Sequence, residues 1–394
     1  MLKSTTPMPR PTKAKLSLLL NMISPARVPL YSALAHHFDL EILHGGTESN
    51  RPGWRSVEQS LSNAQIKRAW GWQVPRFRKF AGKTFDNQYT HITPGYIWQL
   101  LRSRPDAIVT NEMGLRSLIA LAYGAAFRKP VWIWWGGTLH TERQAGFVRR
   151  ALRALFARWA RHWISYGWTS TEYLRSIGVP DDRIVEIQNA VDERRFLSPA
   201  MPAFRITPRP VLVHVGQLIA RKGVEPLLHA AAALQQDGLE FSILLVGNGP
   251  EKANLERLAA DLHLENIHFE PALPPDRMPA VYRSADALIF PTLEDVWGLV
   301  ANEAMLTGLP VLCSVFAGCA HELFPLENIF NPGNAEEFKS RLRAAVTGQL
   351  APPDRARLKT TPELAHDLIR AIESSLAWPA EIVGDSAVSV SDRA

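Results

Sequence analysis

Short apolar runs alternate with longer amphipathic stretches over almost the whole chain. In the first half, the runs LSLLL, LEILH, DAIVT, VWIWW and HWISY are separated by stretches such as VPLYSALAHHF and GLRSLIALAYGAAF. Short continuous apolar runs are typical of strands buried on both faces, and helical stretches between them connect parallel strands. The pattern therefore predicts an α/β fold with a parallel sheet from residue 15 onward.

The alternation stops once and then begins again. The segment FLSPAMPAFRITPRP (196–210) has four prolines and no periodicity, which is typical of a linker between domains. Strand and helix patterns resume with VLVHVG and VEPLLHAAAALQQ, which predicts a second doubly wound sheet whose strand ends share a cleft with the first. We predict these segments: a flexible N-terminus (1–14), a Rossmann-like domain (15–200), a second Rossmann-like domain (208–360), a C-terminal helix returning to the first domain (361–377) and a tail (378–394).

Composition and charge restrict the compartment and the partners. The 394 residues contain 44 Lys and Arg against 38 Asp and Glu, and the pI is near 9.4, so an anionic partner is favoured. The two cysteines, Cys313 and Cys319, are too few for a disulfide framework, which indicates a reducing, cytoplasmic setting. The basic N-terminus before LSLLL raises the alternative of a signal peptide, but no cleavage pattern follows, so we interpret 15–20 as a buried strand.

The stretch EDVWGLVANEAM (294–305) places two carboxylates around a mostly apolar segment. Asp295 lies in a loop that leaves the predicted strand ALIFPT, and helical spacing begins near Gly298. The first amides of a helix attract anions such as phosphate, whereas Asp295 and Glu303 accept hydrogen bonds from hydroxyl groups. A phosphate between two polyols describes a nucleotide sugar. The alternative, in which the acids cap the helix and Trp297 belongs to the core, stays open at this point.

A wider set of motifs resembles retaining glycosyltransferase family 4, the group 1 glycosyl transferases with the GT-B fold. The segment VYRSADALIFPTLEDVWGLVANEAMLTGLPVL (281–312) is similar to the family signature of an acid, seven residues and Glu-Ala-Met. Three further segments occur in the family's order: GVPDDRIVEIQNAVD (178–192), GQLIARKGVEPLLHAAAAL (216–234) and LLVGNGPE (244–251). The resemblance covers most of residues 165–325. It implies that residues 15–200 form the acceptor-binding domain and that residues 208–360 form the nucleotide-sugar-binding domain.

The resemblance implies roles for particular residues. Lys222 would contact the donor diphosphate, Glu303 the ribose hydroxyls and Asp295 the transferred sugar, while His140 would lie over that sugar from the N-terminal domain. The catalytic residues would then be His140, Lys222 and Asp295. The nucleotide-sugar site would comprise Gly216, Gln217, Lys222, Gly247, Gly249, Asp295, Trp297, Gly298, Leu299 and Glu303.

The chain departs from the family pattern at two positions. Asp295 stands where the family usually has Glu, and Gln217 stands where it often has Arg. The first change shortens the acid by one methylene, and the second removes a charge from the diphosphate clamp, for which Arg221 is a candidate replacement.

Other candidate sites have weaker patterns. The arginine-rich segment 140–163 is either a helix at an anionic membrane surface or the solvated helix of an α/β domain, and both interpretations stay open. Arg27, in SPARVPLY, is a candidate for binding an acceptor phosphate or an ordinary surface arginine. The histidines form no spaced ligand set, so we expect no metal and no cofactor besides the donor.

These observations predict a retaining hexosyltransferase that moves a sugar from a nucleotide-diphosphate donor to a glycan or lipid-linked acceptor. We expect it in the cytoplasm, in cell-envelope polysaccharide synthesis such as that of lipopolysaccharide, with no nucleic acid as partner; peripheral contact with an anionic membrane at the inner face stays open. The alternatives are a GT-B epimerase or phosphorylase, and a catalytically silent scaffold that binds a nucleotide or a polyanion.

Overall fold

Two parallel sheets form along the chain, one in each half. The computed structural model describes residues 13–46, 57–80 and 83–377. The predicted tail and all but residues 13 and 14 of the predicted flexible N-terminus lie outside these ranges. The two Rossmann-like domains expected from the sequence pattern are confirmed, and every strand pair within the two main sheets is parallel.

The N-terminal sheet has seven strands in the order β3-β2-β1-β6-β7-β8-β9. The bounds of these strands are β1 Lys15–Leu20, β2 Asp39–His44, β3 Gln65–Arg68, β6 Ala107–Asn111, β7 Val131–Trp135, β8 His162–Tyr166 and β9 Ile184–Ile187. The helices of this half are α1 Val28–His37, α2 Gly95–Ser103, α3 Leu115–Phe127, α4 Leu139–Glu142, α5 Phe147–Trp159, α6 Trp168–Ser176 and α7 Glu193–Leu197. The central strands are almost fully buried, as their continuous apolar runs predict.

An antiparallel hairpin is inserted between β3 and α2. It consists of β4 (Trp72–Phe80) and β5 (Lys83–Ile92), which pair with each other outside the main sheet. The hairpin reaches the C-terminal domain, where the Lys83 ammonium pairs with the Glu225 carboxylate. This element was not predicted from the sequence.

The C-terminal sheet has six strands in the order β12-β11-β10-β13-β14-β15. The strand bounds are β10 Val211–Val215, β11 Ser242–Val246, β12 Ile267–Glu270, β13 Ala287–Phe290, β14 Val311–Ser314 and β15 Ile329–Phe330. The helices are α8 Val224–Gln236, α9 Lys252–Asp261, α10 Met278–Tyr282, α11 Leu299–Thr307, α12 Ala320–Leu323, α13 Ala335–Val346 and α14 Thr361–Ala377. Buried apolar side chains lie on both faces of this sheet.

The last described helix packs on the first domain. In α14, Leu368 and Ile372 are fully buried in the same cluster as Leu30 and Leu34 of α1. The helix begins at Thr361, and Thr360 precedes it as the capping residue. The side chain of Glu363 accepts the Thr360 N–H at 2.7 Å, which satisfies an amide that precedes the helix.

The prediction of a single helix over 140–163 is wrong. The segment forms two helices, α4 and α5, and the next strand already begins at His162. The break lies between Glu142, the last residue of α4, and Gly146, an extended residue that precedes α5.

Each sheet has one point where the strand order reverses. In the N-terminal sheet it lies between β1 and β6, and in the C-terminal sheet between β10 and β13. Loops that leave adjacent strands in opposite directions at such a point form a crevice at the carboxyl edge of the sheet. The crevice of the C-terminal domain is therefore built by the loops after β10, β11 and β13.

Candidate active site

An ion pair between Lys222 and Asp295 lies at the centre of this crevice. Lys222 ends the short turn after β10, and Asp295 lies in the loop after β13, so the chain reversal brings them together. The Lys222 Nζ is 2.5 Å from Asp295 Oδ2, and the two side chains are only 15% and 14% exposed. Little water reaches the pair, so its charges are weakly screened.

The protein fixes the backbone and the charge of Asp295. Its N–H donates to the Phe316 carbonyl at 3.2 Å, and its carbonyl accepts the Gly318 N–H at 3.1 Å. Burial alone would raise the pKa of Asp295, but the Lys222 ammonium and the Arg221 guanidinium outweigh burial and hold the pKa below its usual value. Asp295 is therefore ionised at neutral pH.

Arg221 is committed to the same loop. Its Nη1 donates to the Glu294 carbonyl at 2.8 Å and lies 3.9 Å from Asp295 Oδ2. Gln217 is half-buried in the turn after β10, where the family often has Arg. Arg221 thus supplies a second positive group beside Lys222, but at a different position from the arginine that Gln217 replaces in the family pattern.

The glycines of the site allow two loops to touch. Gly247 has φ +157°, and a Cβ at that position would lie 1.8 Å from the Gly216 carbonyl oxygen. A Cβ on Gly249 would lie 2.1 Å from the Leu218 carbonyl oxygen. The sequence analysis explained these glycines by approach of a ligand. The structure gives a closer reason, since the turns after β10 and β11 pack backbone against backbone.

The start of α11 is less open than predicted. The Trp297 amide donates to Asp295 Oδ1 at 3.3 Å, and the indole is 1% exposed. Gly298 has φ +106°, and a Cβ there would meet the Phe290 ring at 2.3 Å, so packing alone requires glycine. Leu299, the first helical residue, is half-buried. One of the three amides assigned to a ligand is therefore already occupied within the protein.

Glu303 lies one turn into α11, on the side of Tyr282. Its Oε2 accepts the Tyr282 hydroxyl at 2.6 Å. Burial raises the pKa of Glu303 to about 7, and the Tyr282 hydrogen bond and the Arg195 charge offset this only in part. The carboxyl group of Glu303 is therefore partly ionised at neutral pH. Its ionised form can accept a hydrogen bond from a ligand hydroxyl.

His140 reaches the site from the other domain. Its Nε2 lies 2.9 Å from the Leu293 carbonyl oxygen, and its ring stacks on Phe316 with centroids 4.2 Å apart. Burial lowers the pKa of His140, so the ring is neutral at pH 7. Because a carbonyl only accepts, Nε2 carries the proton and Nδ1 is the free-base nitrogen.

Glu294, which the sequence analysis did not single out, joins the domains. Its side chain is 8% exposed and accepts from Arg78 of β4 at 2.9 Å and from Arg143 at 3.0 Å. Leu293, Glu294 and Asp295 are thus held by His140, by the two arginines and by Lys222 respectively. The position of Glu294 next to Asp295 in the sequence could have identified it, but no local pattern marks its distant partners Arg78 and Arg143.

Arg27 has protein partners in this structure. It is 8% exposed, donates to Asn189 Oδ1 at 3.0 Å, and lies 4.1 Å above the Trp134 ring and 4.8 Å from the Tyr166 ring. These contacts tie the loop after β1 to the segment that leads out of the N-terminal domain. The acceptor role of Arg27 remains a prediction.

The described part of the chain has neither a cluster of metal-binding side chains nor a membrane-spanning helix. No group of three or more His, Cys, Asp and Glu side chains within those ranges is arranged to hold a metal ion. Among the helices that the structure describes, none is long and apolar enough to cross a bilayer.

Two Rossmann-like domains around one cleft define the GT-B fold, and solved structures of that fold align with most of the chain. HepE of Anabaena, crystallised with UDP and glucose, covers 92% of this chain and 94% of its own, with a TM-score of 0.63 and 17% identity. The lipopolysaccharide outer core galactosyltransferase WaaB, in its apo form, covers 92% of this chain and 96% of its own, with a TM-score of 0.61 and 13% identity. At such identities the likeness establishes the fold.

The sequence comparison points to one superfamily. Residues 202–363 match the profile of the family described as "Glycosyl transferases group 1". The 2-deoxystreptamine glucosyltransferase of Streptomyces kanamyceticus is 32% identical over 152 residues, which is 36% of this chain and 39% of that enzyme. The chain spans between 24% and 52% of the other curated relatives it matches. The C-terminal domain thus carries the match to the group 1 glycosyl transferases.

Proposed function

We propose that this protein is a retaining glycosyltransferase of family 4, which transfers a hexosyl group from a nucleotide-diphosphate sugar to a glycan or lipid-linked acceptor. The observation that carries the proposal is the buried Lys222–Asp295 pair at the reversal point of the C-terminal sheet, beneath a neutral His140 from the other domain. The pair offers a cation for a diphosphate and an acceptor for a sugar hydroxyl within one water-poor crevice.

The comparisons support a nucleotide-sugar donor. The profile match covers the loops that hold Lys222, Gly247 and Asp295, and HepE was crystallised with UDP and glucose. Glu303 would accept the ribose hydroxyls, and its carboxyl group lies in the first helix after Asp295. The base and the sugar of the donor are open to a binding screen.

The proposed reaction occurs on one face of the sugar. The bond between the anomeric carbon and the diphosphate oxygen breaks, and the acceptor oxygen bonds to the same face of that carbon. The acceptor proton moves to the departing phosphate oxygen. Lys222 stabilises the charge that develops on the diphosphate, Asp295 and His140 orient the transferred sugar, and no side chain is assigned as a covalent nucleophile.

Arrival of the donor would rearrange the ion pair. A diphosphate is a stronger partner for Lys222 than a single carboxylate, so the ammonium would turn towards the phosphates and leave Asp295 free to accept a sugar hydroxyl. Domain closure over the site would exclude water, which otherwise competes with the acceptor for the sugar.

The acceptor would bind mainly to the N-terminal domain. We propose a cytoplasmic enzyme of envelope polysaccharide synthesis, with no metal and no cofactor other than the donor. WaaB, which has the same fold, is a lipopolysaccharide galactosyltransferase, and this supports an envelope acceptor.

Release of nucleoside diphosphate from UDP-, GDP- and ADP-sugars tests the reaction class. We expect slow hydrolysis of one donor by the purified protein, and loss of at least a hundredfold in the rate with Lys222→Ala, with far-UV circular dichroism unchanged. Conversion of the donor sugar without nucleotide release identifies an epimerase. Phosphate-dependent formation of a sugar phosphate identifies a phosphorylase, and binding without any turnover identifies a scaffold; each of these results rejects the proposal.

A further inference from the structure

Exposed apolar side chains are concentrated on the N-terminal domain. Among the residues that the structure describes, fifteen of the nineteen exposed large apolar side chains lie between Trp70 and Trp168. Monomeric soluble proteins rarely leave large contiguous apolar patches in water, so such a concentration marks an interaction surface.

The helices that carry many of these side chains lie side by side on one face of the sheet. Tyr96 and Leu100 of α2 share a buried cluster with Ala120 and Tyr123 of α3. On the other side of α3, Leu118 packs against the cluster that holds Phe156 of α5. The outer sides of α2, α3 and α5 therefore point away from the sheet in one common direction.

Both α2 and α5 carry exposed apolar side chains. Trp98 of α2 is 71% exposed, and Val148, Leu152 and Trp159 of α5 are 71%, 43% and 57% exposed. Steps of four and seven residues place the three α5 side chains on one stripe, which borders the side of the helix that buries Phe156. Two exposed indoles, Trp70 and Trp72, extend the surface at the base of the β4–β5 hairpin, with ring centroids 4.6 Å apart. The name aromatic face denotes this set: Trp70, Trp72, Trp98, Val148, Leu152 and Trp159.

The charge around the aromatic face has one sign. The segments of α2, α3 and α5 contain six arginines and no Asp or Glu. Two of the arginines are buried, and the four exposed ones are Arg102, Arg149, Arg150 and Arg158. Between residues 15 and 200 the chain has 25 Lys and Arg against 14 Asp and Glu, whereas residues 208–360 have 13 against 18. A partner of this face must therefore be negatively charged as well as able to receive aliphatic and aromatic side chains.

We propose that the aromatic face binds the surface of a bilayer that contains anionic phospholipids. Indoles and short aliphatic stripes bury in the region between headgroups and acyl chains, and arginines beside them pair with lipid phosphates. The phosphates of a nucleic acid would pair with the arginines, but a nucleic acid offers no aliphatic region in which Val148 and Leu152 could be buried. Docking through this face does not depend on the proposed reaction.

The location of the face has a consequence for the acceptor, which does rest on the proposed function. Both α2 and α5 begin at the carboxyl edge of the N-terminal sheet, where the cleft lies, and Trp98 and Val148 are in their first turns. A protein docked in this way holds the mouth of the cleft beside the headgroups. The acceptor class that this arrangement favours is an amphiphile that remains anchored in the bilayer.

Vesicle sedimentation of the full chain tests the docking. The probes are vesicles of phosphatidylcholine alone and of phosphatidylcholine with 30% phosphatidylglycerol, at low and at high salt. We expect binding to the anionic vesicles only, and weaker binding at high salt. The apolar variant Trp98→Ser with Trp159→Ser, and the charge variant Arg150→Ser with Arg158→Ser, should each bind at least tenfold more weakly.

Matched variants on the other domain control for general effects. Leu326 is 71% exposed and Arg257 is also exposed, and the variant Leu326→Ser with Arg257→Ser should bind within twofold of the parent. All variants should retain their thermal unfolding profile and the donor hydrolysis measured without vesicles, because none of these residues lies in the candidate active site.

Several results overturn the proposal. These are absence of binding to anionic vesicles at low salt, equal binding to neutral vesicles, and equal loss in the control variant. A dimer in sedimentation equilibrium that the Trp98→Ser, Trp159→Ser variant dissociates, together with no vesicle binding, assigns the face to a second copy of the chain. Loss of donor hydrolysis with intact vesicle binding would instead reject the proposed function and leave the docking standing.

Discussion

At the scale of single residues, the site is a set of charges that a ligand has to rearrange. Asp295 and Lys222 neutralise each other when no donor is bound, and Asp295 also accepts the Trp297 amide. Glu303 hydrogen-bonds to the Tyr282 hydroxyl and has a pKa of about 7, because burial raises the pKa more than Tyr282 and the Arg195 charge lower it. The two carboxylates of the motif therefore differ in their protonation near neutral pH.

The raised pKa of Glu303 predicts a pH-dependent affinity for the donor. Ribose hydroxyls bind best to the ionised carboxylate, so a nucleotide sugar should bind up to about tenfold more tightly at pH 8 than at pH 6. Isothermal titration calorimetry measures the affinity at each pH, with the nucleotide sugar that stabilises the protein as ligand. The diphosphate of such a donor has no group that titrates between pH 6 and pH 8, so a pH dependence reports on the protein. The Glu303→Gln variant should bind with a pH-independent affinity; an equal pH slope in the variant would contradict the assignment.

The same shift has a consequence for the unliganded protein. The folded state holds the Glu303 proton up to about pH 7, whereas the unfolded chain releases it near 4.5. The contribution of this group to the free energy of unfolding is therefore fully present below about pH 4.5 and is lost as the pH rises through about 7.

At the scale of elements, glycines and loop contacts determine the shape of the crevice. The turns after β10 and β11 touch through Gly216 and Gly247, and the Leu218 N–H donates to the Asn248 carbonyl at 2.9 Å. The loop after β13 is fixed from the side by residues 316–318. A rigid loop arrangement of this kind keeps Lys222 and Asp295 in reach of one ligand.

A methyl group at position 247 should disturb this arrangement. Gly247→Ala places a Cβ against the Gly216 carbonyl at a φ that only glycine adopts easily, so the free energy of unfolding should fall by about 2–4 kcal/mol. The control is Gly146→Ala, at φ −66° with no atom within 4 Å of the new Cβ, which should change stability by less than about 0.5 kcal/mol. Urea unfolding compares them, and equal stability of the two variants would refute the close contact.

Many of the strands and helices were predictable from the sequence, because they depend on local sequence patterns. The apolar runs predicted the strands, and Gly308, with φ +86° after α11, ends that helix in the left-handed conformation that glycine adopts easily. The hairpin was missed because its strands pair only with each other and face the other domain, so they lack the continuous apolar run of a buried strand. The glycine contacts were not predicted, because contact between distant turns leaves no periodic signal.

At the scale of the whole molecule, the residues 293–295 connect the two domains. His140 binds the Leu293 carbonyl, and Arg78 and Arg143 bind the Glu294 carboxylate from separate elements of the N-terminal domain. On another part of the interface, Glu322 of α12 accepts the Trp168 N–H and a hydrogen bond from Gln188. Sequence alone did not show these contacts, because their partners lie more than a hundred residues apart.

Removal of both arginines should leave a buried charge without a partner. Either Arg78→Ala or Arg143→Ala alone should lower the free energy of unfolding by about 1–3 kcal/mol, and the double variant by about 3–5 kcal/mol. Adding Glu294→Gln to the double variant should restore part of the loss, because the uncompensated charge disappears. Urea unfolding at constant salt measures each step of this series.

The control for this series is Arg175→Ala. Arg175 pairs with Glu172 and Asp181, but these side chains are 39–69% exposed, so the variant should lose much less stability than the double variant. A double variant no less stable than Arg175→Ala would show that Arg78 and Arg143 do not hold Glu294 in solution.

The binding of a nucleotide sugar at Lys222 is the central claim, and thermal unfolding with saturating UDP-, GDP- and ADP-sugars tests it most directly. At a hundred times its dissociation constant, one donor should stabilise the wild-type protein by about 2.7 kcal/mol, and this should be lost in Lys222→Ala but kept in Lys339→Ala, a change on the far helix α13. No stabilisation by any nucleotide sugar, or equal stabilisation of Lys222→Ala, would contradict the account.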